Sequence, residues 1–306
     1  MPQLYSSKLK MNLELRAGIT TAIRHYFTQK NYLEVETPNR IPAPAPEANI
    51  EAEPSGLWFL QTSPELCMKR LLAAGFERIF QICKCYRKGE RGRLHLPEMT
   101  MLEWYTAGHD YLDMMRQCED LITTVAQSID HGKGIQYQGR WIDFTKPWDR
   151  MTVDQAFETF AAESLDTAVL NGHFDEIIGC DIAPNLGYVK PVFLYDYPAE
   201  LGSLARLKPG DKSVAERFEL YIAGIEICNA FSELTDPDEQ RRRFEMERRL
   251  CRASGKTPYP LAEPFLQALG NMPDSAGNAL GIDRLIMLFA DTAEIDTVVA
   301  FIPEVC

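Results

Sequence analysis

Gly277-Asn278-Ala279-Leu280-Gly281-Ile282-Asp283-Arg284 reads as strand, turn and helix, with the helix opening at Gly281. Glycine lets a backbone approach another group closely. The arginine three residues on carries a planar fork that stays charged and suits phosphate. Such a pair is common on protein surfaces, so its weight comes from what lies upstream.

Residues 79–86 and 99–105 each alternate apolar and polar positions, as half-buried strands do. Between them, 87–97 is charged and punctuated by glycine, which predicts a hairpin with a long basic tip. Further back, Leu13, Leu15, Ile19, Ile23, Tyr26 and Phe27 keep the rhythm of an amphipathic helix over 9–30. That helix runs into a short alternating strand, 32–38, stopped by Pro38. The stretch 41–53, with Pro42, Pro44 and Pro46, predicts an irregular loop. Helices are expected over 64–75, 112–130, 152–163 and 238–252, and strands over 192–195 and 218–227. No repeat, low-complexity tract or linker interrupts the order. The expectation is one α+β domain over 1–306, a sheet flanked by helices.

Hydrophobic content of 45% and charged content of 25% are those of a globular protein able to bury a core. Residues 1–10 lack the apolar core of a leader, and no apolar run approaches the ~20 residues that cross a bilayer. A cytoplasmic protein without a membrane partner is expected. The net charge of −12 argues against a broad grip on nucleic acid. Arg241, Arg242, Arg243, Arg248 and Arg249 are interleaved with Glu239, Glu245 and Glu247, as on a solvated helix. None of the eight cysteines forms a CxxC pair, so reduced thiols are expected rather than a zinc site.

Three segments now stand in order: the long helix and strand ending at Pro38, the hairpin bounded by Arg87 and Glu103, and Gly281 to Arg284 opening a helix. This is the order of the three motifs of the class II aminoacyl-tRNA synthetases, which the chain resembles from about residue 10 to 302. Ser63-Pro64-Glu65 with Lys69-Arg70-Leu71 is similar to the lysine branch, as are Thr100-Met101-Leu102-Glu103, residues 215–220, Glu226 and residues 229–234. The resemblance implies an antiparallel sheet flanked by helices, and a homodimer built on the first motif. A lysyl-tRNA synthetase normally begins with an anticodon-reading OB domain. Here the first motif starts almost at once, so that domain is expected to be missing and tRNA to be an unlikely partner. The shortened arrangement resembles the elongation factor P lysine ligases, which join β-lysine to a lysine side chain of that factor. Gly92-Arg93, Trp104 and Ala279 carry this narrower likeness.

The implied first step is attack of an amino-acid carboxylate on the α-phosphate of ATP. Two anions must meet, so fixed positive charge is needed where negative charge develops. Arg87 and Arg284 are the catalytic candidates. The ATP site implied by resemblance comprises Arg87, Lys88, Gly89, Glu90, His95, Leu96, Met99, Glu219, Leu220, Gly281 and Arg284. The hairpin departs from the family pattern at Lys88-Gly89, where Asn-Glu is usual, at Leu96 in place of Asn and at Met99 in place of Phe. Glu90 stands one place late to replace the missing glutamate. Mg2+ is expected on Glu219 and Glu226. These lie an odd seven residues apart, so a bend or bulge must intervene if both are to face one ion.

A lysine-like substrate carries two ammonium groups, and a buried charge left unpaired is costly. The resemblance supplies Ser63, Pro64, Glu65, Glu103, Tyr105, Glu226, Asn229, Glu233 and Ala279 for it. Ser63 and Glu65 are expected at the amino group nearer the carboxylate, and Glu103 and Glu233 at the distant ammonium. Ala279 stands where lysyl-tRNA synthetases carry glycine, and its methyl group is expected to disfavour α-lysine relative to β-lysine. The alternatives are another acceptor, tRNA or a small amine, and a non-catalytic paralogue.

Overall fold

The computed structural model describes residues 7–47 and 49–305. The first six residues, read above as part of a segment without a leader's core, lie outside the described residues, as do Ala48 and Cys306. A nine-stranded sheet organises the chain. Its strands run in the order Leu33–Glu34, Arg78–Tyr86, Glu98–Ala107, Ser275–Gly281, Ile225–Ser232, Asp211–Ile222, Val192–Pro198 and Asp149–Thr152, with Leu207–Lys208 pairing onto Asp211–Ile222. The pairings are antiparallel except at the two ends, where Leu33–Glu34 and Asp149–Thr152 each join in parallel.

Strand alternation sorts the side chains onto two faces. Leu102, Trp104, Phe218, Leu220, Ala230 and Leu280 point to one face and pack with the helices Ser7–Gln29, Tyr111–Ser128 and Ile282–Phe289. Trp104 is fully buried and donates its indole N–H to Gln117 Oε1 at 2.9 Å, so its ring adds apolar burial without an orphaned donor. Phe27 stacks on Phe80 at 4.8 Å, tying the long helix to the sheet. Tyr111–Ser128 starts with a reciprocal cap between Asp110 and Asp113, which satisfies two backbone N–H groups at its N-terminus.

The opposite face holds the polar residues. The register sets Glu219, Asn229, Ala279 and Glu103 side by side across four strands. The next row is Arg217, Phe231, Gly277 and Tyr105. Helices Glu65–Ala73, Pro237–Ala253 and Glu263–Leu269 pack together over one end of this face, with Leu66, Phe244 and Phe265 at their contacts.

The expected single strand over 218–227 is a hairpin. Ala223 and Gly224 turn the chain with both residues at positive φ, 53° and 76°, as a two-residue type I′ turn requires. A register shift follows: Leu220 pairs Cys228, but Tyr221 pairs Glu226, leaving Ile227 as the extra residue. Without that bulge Glu226 would point away from Asn229. With it, Glu219, Tyr221, Glu226 and Asn229 share one face. The strand expected over 32–38 is only two residues long. The proline loop begins with Arg40–Ile41, which joins a small sheet with Pro54–Ser55 and Trp58–Leu60. A hairpin of Gly134–Tyr137 and Arg140–Asp143 was not anticipated. Among the described residues no helix is long and apolar enough to cross a membrane, and seven cysteines are free thiols.

Candidate active site

On the polar face lies a cavity of about 290 Å³, bounded by the sheet, the tip of the Arg78–Tyr86/Glu98–Ala107 hairpin, the proline loop and the start of helix Glu65–Ala73. Its two ends differ in charge.

At the basic end, Gly281 caps helix Ile282–Phe289 and Arg284 leaves its first turn. Arg284 is held on three sides. It donates to the Glu226 carbonyl at 2.9 Å and carboxylate at 3.1 Å, and to the Leu94 carbonyl at 3.3 Å. Its other nitrogen meets His95 Nε2 at 2.6 Å. Burial and the adjacent Arg284 lower the His95 pKa, so the imidazole is neutral at pH 7 and accepts from the guanidinium. Arg87 enters from the other side of the hairpin tip, 3.7 Å from Glu90, with its Nε buried and unpartnered. A Cβ at Gly281 would meet only Arg284, at ordinary contact distance, so the space above that backbone is open to a ligand.

Glu226 and Glu219 sit between the ends. Burial pushes Glu226 up, but Arg284, Arg87 and Arg217 outweigh it and hold the carboxyl below its usual range. Glu219 accepts from Arg217 at 2.8 Å and from Tyr221 at 2.7 Å. Its pKa is nevertheless raised, by burial and by repulsion from Glu226. Two close carboxylates that repel one another form a donor set suited to a divalent cation. Among the described residues no group of three or more potential ligands stands together.

At the acidic end, Ser63 Oγ donates to Glu103 Oε1 at 2.6 Å and Tyr105 donates to Oε2 at 2.8 Å. Glu103 is 1% exposed, and burial together with the nearby Glu65 raises its pKa to about 7. Glu233 is fully buried beneath it. Its Oε2 lies 2.5 Å from Lys69 Nζ, its Oε1 has no hydrogen-bond donor, and burial drives its pKa to about 8. Lys69 also bonds Glu65. Asn229 accepts from Arg217 at 3.2 Å, which leaves its amide N–H groups for a ligand.

Most of the residues assigned from the sequence line this one cavity: Ser63, Glu65, Arg87, Glu90, His95, Leu96, Met99, Glu103, Tyr105, Glu226, Asn229, Ala279, Gly281 and Arg284. Others do not. Leu220 follows Glu219 on its strand, so alternation buries its side chain in the core on the far face. Lys88 points outward and pairs with Glu51 at 2.7 Å, and Gly89 is exposed at φ 74° in the turn of the tip. Pro64 is the residue before helix Glu65–Ala73 and shapes its entry from outside the cavity. Glu219 and Glu233 stand behind the lining, reached through Arg217 and Lys69. Three contributors were missed. Arg217, two residues before Glu219 on one strand, could have been placed by alternation alone. Lys69 lies one helical turn after Glu65, a spacing that predicts their contact. Glu47 comes from the proline loop and had no periodic signal. Burial and Glu65 raise its pKa, against the pull of Arg87 and Arg217, to about 7.

A family model described as class II tRNA synthetases (D, K and N) matches residues 2–304. The chain is 40% identical to a protein of Pectobacterium atrosepticum named elongation factor P–(R)-β-lysine ligase, covering 96% of this chain and 95% of the relative. Proteins of the same name from Edwardsiella ictaluri and Salmonella arizonae are each 37% identical over 95% of this chain and 94% of theirs. Those extents of identity, together with a sheet that joins all three motifs and a cavity lined by the second and third, place the chain in the class II tRNA synthetase family.

Proposed function

We propose that this chain is an ATP-dependent ligase that activates lysine or β-lysine as an aminoacyl-adenylate and transfers it to a lysine side chain of elongation factor P. One observation carries the reading: a single cavity has two arginines at one end and clustered, buried glutamates at the other. ATP fits the first end, with Arg87 and Arg284 on its phosphates and neutral His95 steadying Arg284. A diamino acid fits the second, with its ammonium groups at Glu65 and Glu103 and its carboxylate turned toward Arg87. Glu219 and Glu226 would hold Mg2+, which neutralises phosphate charge.

A carboxylate oxygen attacks the α-phosphorus and pyrophosphate leaves. The acceptor amine then attacks the adenylate carbonyl and AMP leaves. Neither step needs a protein nucleophile, so positioning and charge stabilisation supply the rate. Ala279, flanked by Asn229 and Glu103, sets the pocket floor and favours the β-isomer. The same reading takes the chain as one catalytic domain working as a homodimer in the cytoplasm, beside its translational acceptor. ATP–pyrophosphate exchange is the test. Exchange dependent on lysine or β-lysine, and absent with leucine, supports the reading; no exchange with either removes it.

A further inference from the structure

Lys69 is 1% exposed, lies in the second turn of helix Glu65–Ala73, and touches neither solvent nor the phosphate end of the cavity. Its ammonium bonds Glu65 on its own helix, meets Glu233 at 2.5 Å on the sheet, and rests over the Phe231 ring at 4.9 Å. Glu103 and Tyr105 face the same cluster from strand Glu98–Ala107, and Glu47 faces Glu65 from the proline loop, where Arg87 and Arg217 balance it. Replacing a buried ion pair by apolar side chains is often neutral or stabilising. Helix packing alone therefore gives no reason for an ammonium here.

Charge does. When ionised, Glu65, Glu103 and Glu233 supply three negative charges and Lys69 one positive, a formal sum of −2. A diamino acid brings two ammonium groups. We propose that Lys69 is a positioning residue that sets the charge of the amino-acid pocket: by neutralising one of three clustered carboxylates it leaves two for the two substrate ammonium groups. This inference rests on the diamino-acid reading above. Burial would discharge Lys69, but Glu233 and Glu65 more than offset it and raise its pKa, so the cation is permanent at neutral pH. Even beside Lys69 the Glu233 carboxyl is raised to about 8, and without the ammonium it would hold its proton to higher pH still, so more of that proton must be expelled as a diamino acid enters.

The experiment compares wild type, Lys69→Met, Lys69→Arg and the double variant Lys69→Met/Glu233→Gln. Calorimetry of lysine and β-lysine binding at pH 8.5, above the value of about 8 for Glu233, in buffers of different ionisation heat, counts the protons released. Carboxyl 13C titration of the unliganded proteins follows the cluster directly. Lys69→Met is expected to release about half a proton more than wild type and to move a carboxyl titration up by about one pH unit. Lys69→Arg keeps the wild-type values, and the double variant, again at −2, releases no more protons than wild type. Should Lys69→Met not fold, the other two variants still decide: a double variant that releases more protons on binding than wild type, or a Lys69→Arg variant that does so, overturns the proposal. Equal proton release and identical carboxyl titrations in wild type and Lys69→Met also overturn it. A wild type that binds neither amino acid defeats the diamino-acid reading instead, and the unliganded titration still judges the assignment to Lys69.

Discussion

Replacing Glu103 by glutamine should separate what the acidic end costs the fold from what it gives the substrate. The carboxyl is 1% exposed and is raised from 4.5 to about 7, by burial first and by Glu65 second. Its folded pKa lies above its unfolded one, so the folded protein holds an extra proton between these values. The stability that proton confers is full below 4.5 and is lost as pH rises through about 7. At about 1.4 kcal/mol per pKa unit, the ionised carboxylate costs the fold about 3 kcal/mol at pH 8. Glutamine carries no charge and can keep hydrogen bonds to Ser63 and Tyr105. Glu103→Gln should therefore match wild type near pH 5 and exceed it at pH 8, by about 5 °C in Tm. Glu233, raised to about 8, adds a slope of the same sign in both proteins, so the comparison is made at each pH. Binding should move the other way. An ammonium facing an amide loses its buried counter-charge, which raises KM for lysine about 100-fold in pyrophosphate exchange. Equal stability changes at pH 5 and pH 8 would show that Glu103 does not strain the fold as a buried charge, and a stability gain with unchanged KM that it does not hold the substrate ammonium.

Gly277→Ala places a Cβ 2.3 Å from the Tyr105 ring and 2.4 Å from Glu233 Oε1. Both neighbours are buried, so the variant should lose about 1–3 kcal/mol in denaturant unfolding and raise KM for lysine more than KM for ATP. Ala279→Gly removes a methyl group from the pocket floor and should relax the preference between α- and β-lysine by about tenfold in kcat/KM; an unchanged ratio would sever Ala279 from selectivity. Lys88→Ala breaks only an exposed pair with Glu51, so KM for ATP should change less than about fivefold. A larger rise would return Lys88 to the nucleotide site.

The long helix and the basic-tipped hairpin were legible because periodicity runs unbroken for many residues there. The hairpin at 223–224 was not. Asparagine or aspartate usually marks the first position of a type I′ turn, and here it is Ala223 at φ 53°, so flanking apolar residues read as one strand. That misreading hid the geometry of Glu219 and Glu226, although the requirement for a bulge followed from their spacing and is met at Ile227. Site residues that the motifs supplied fell mostly in one cavity. The exceptions have local causes. Leu220 is on the wrong side of its strand, and Lys88 and Gly89 sit where the altered tip turns outward. Lys69, Arg217 and Glu47 went unassigned because partners reached through tertiary contact leave little trace in sequence spacing.

Intact-mass analysis of purified elongation factor P shows whether the acidic pocket and the two arginines serve acyl transfer to a protein lysine. The factor is incubated with this protein, ATP, Mg2+ and β-lysine. A single added β-lysyl group on one lysine is expected, lost when Arg284 is replaced by glutamine. No added mass on the factor, with tRNA charged in parallel, would contradict that role.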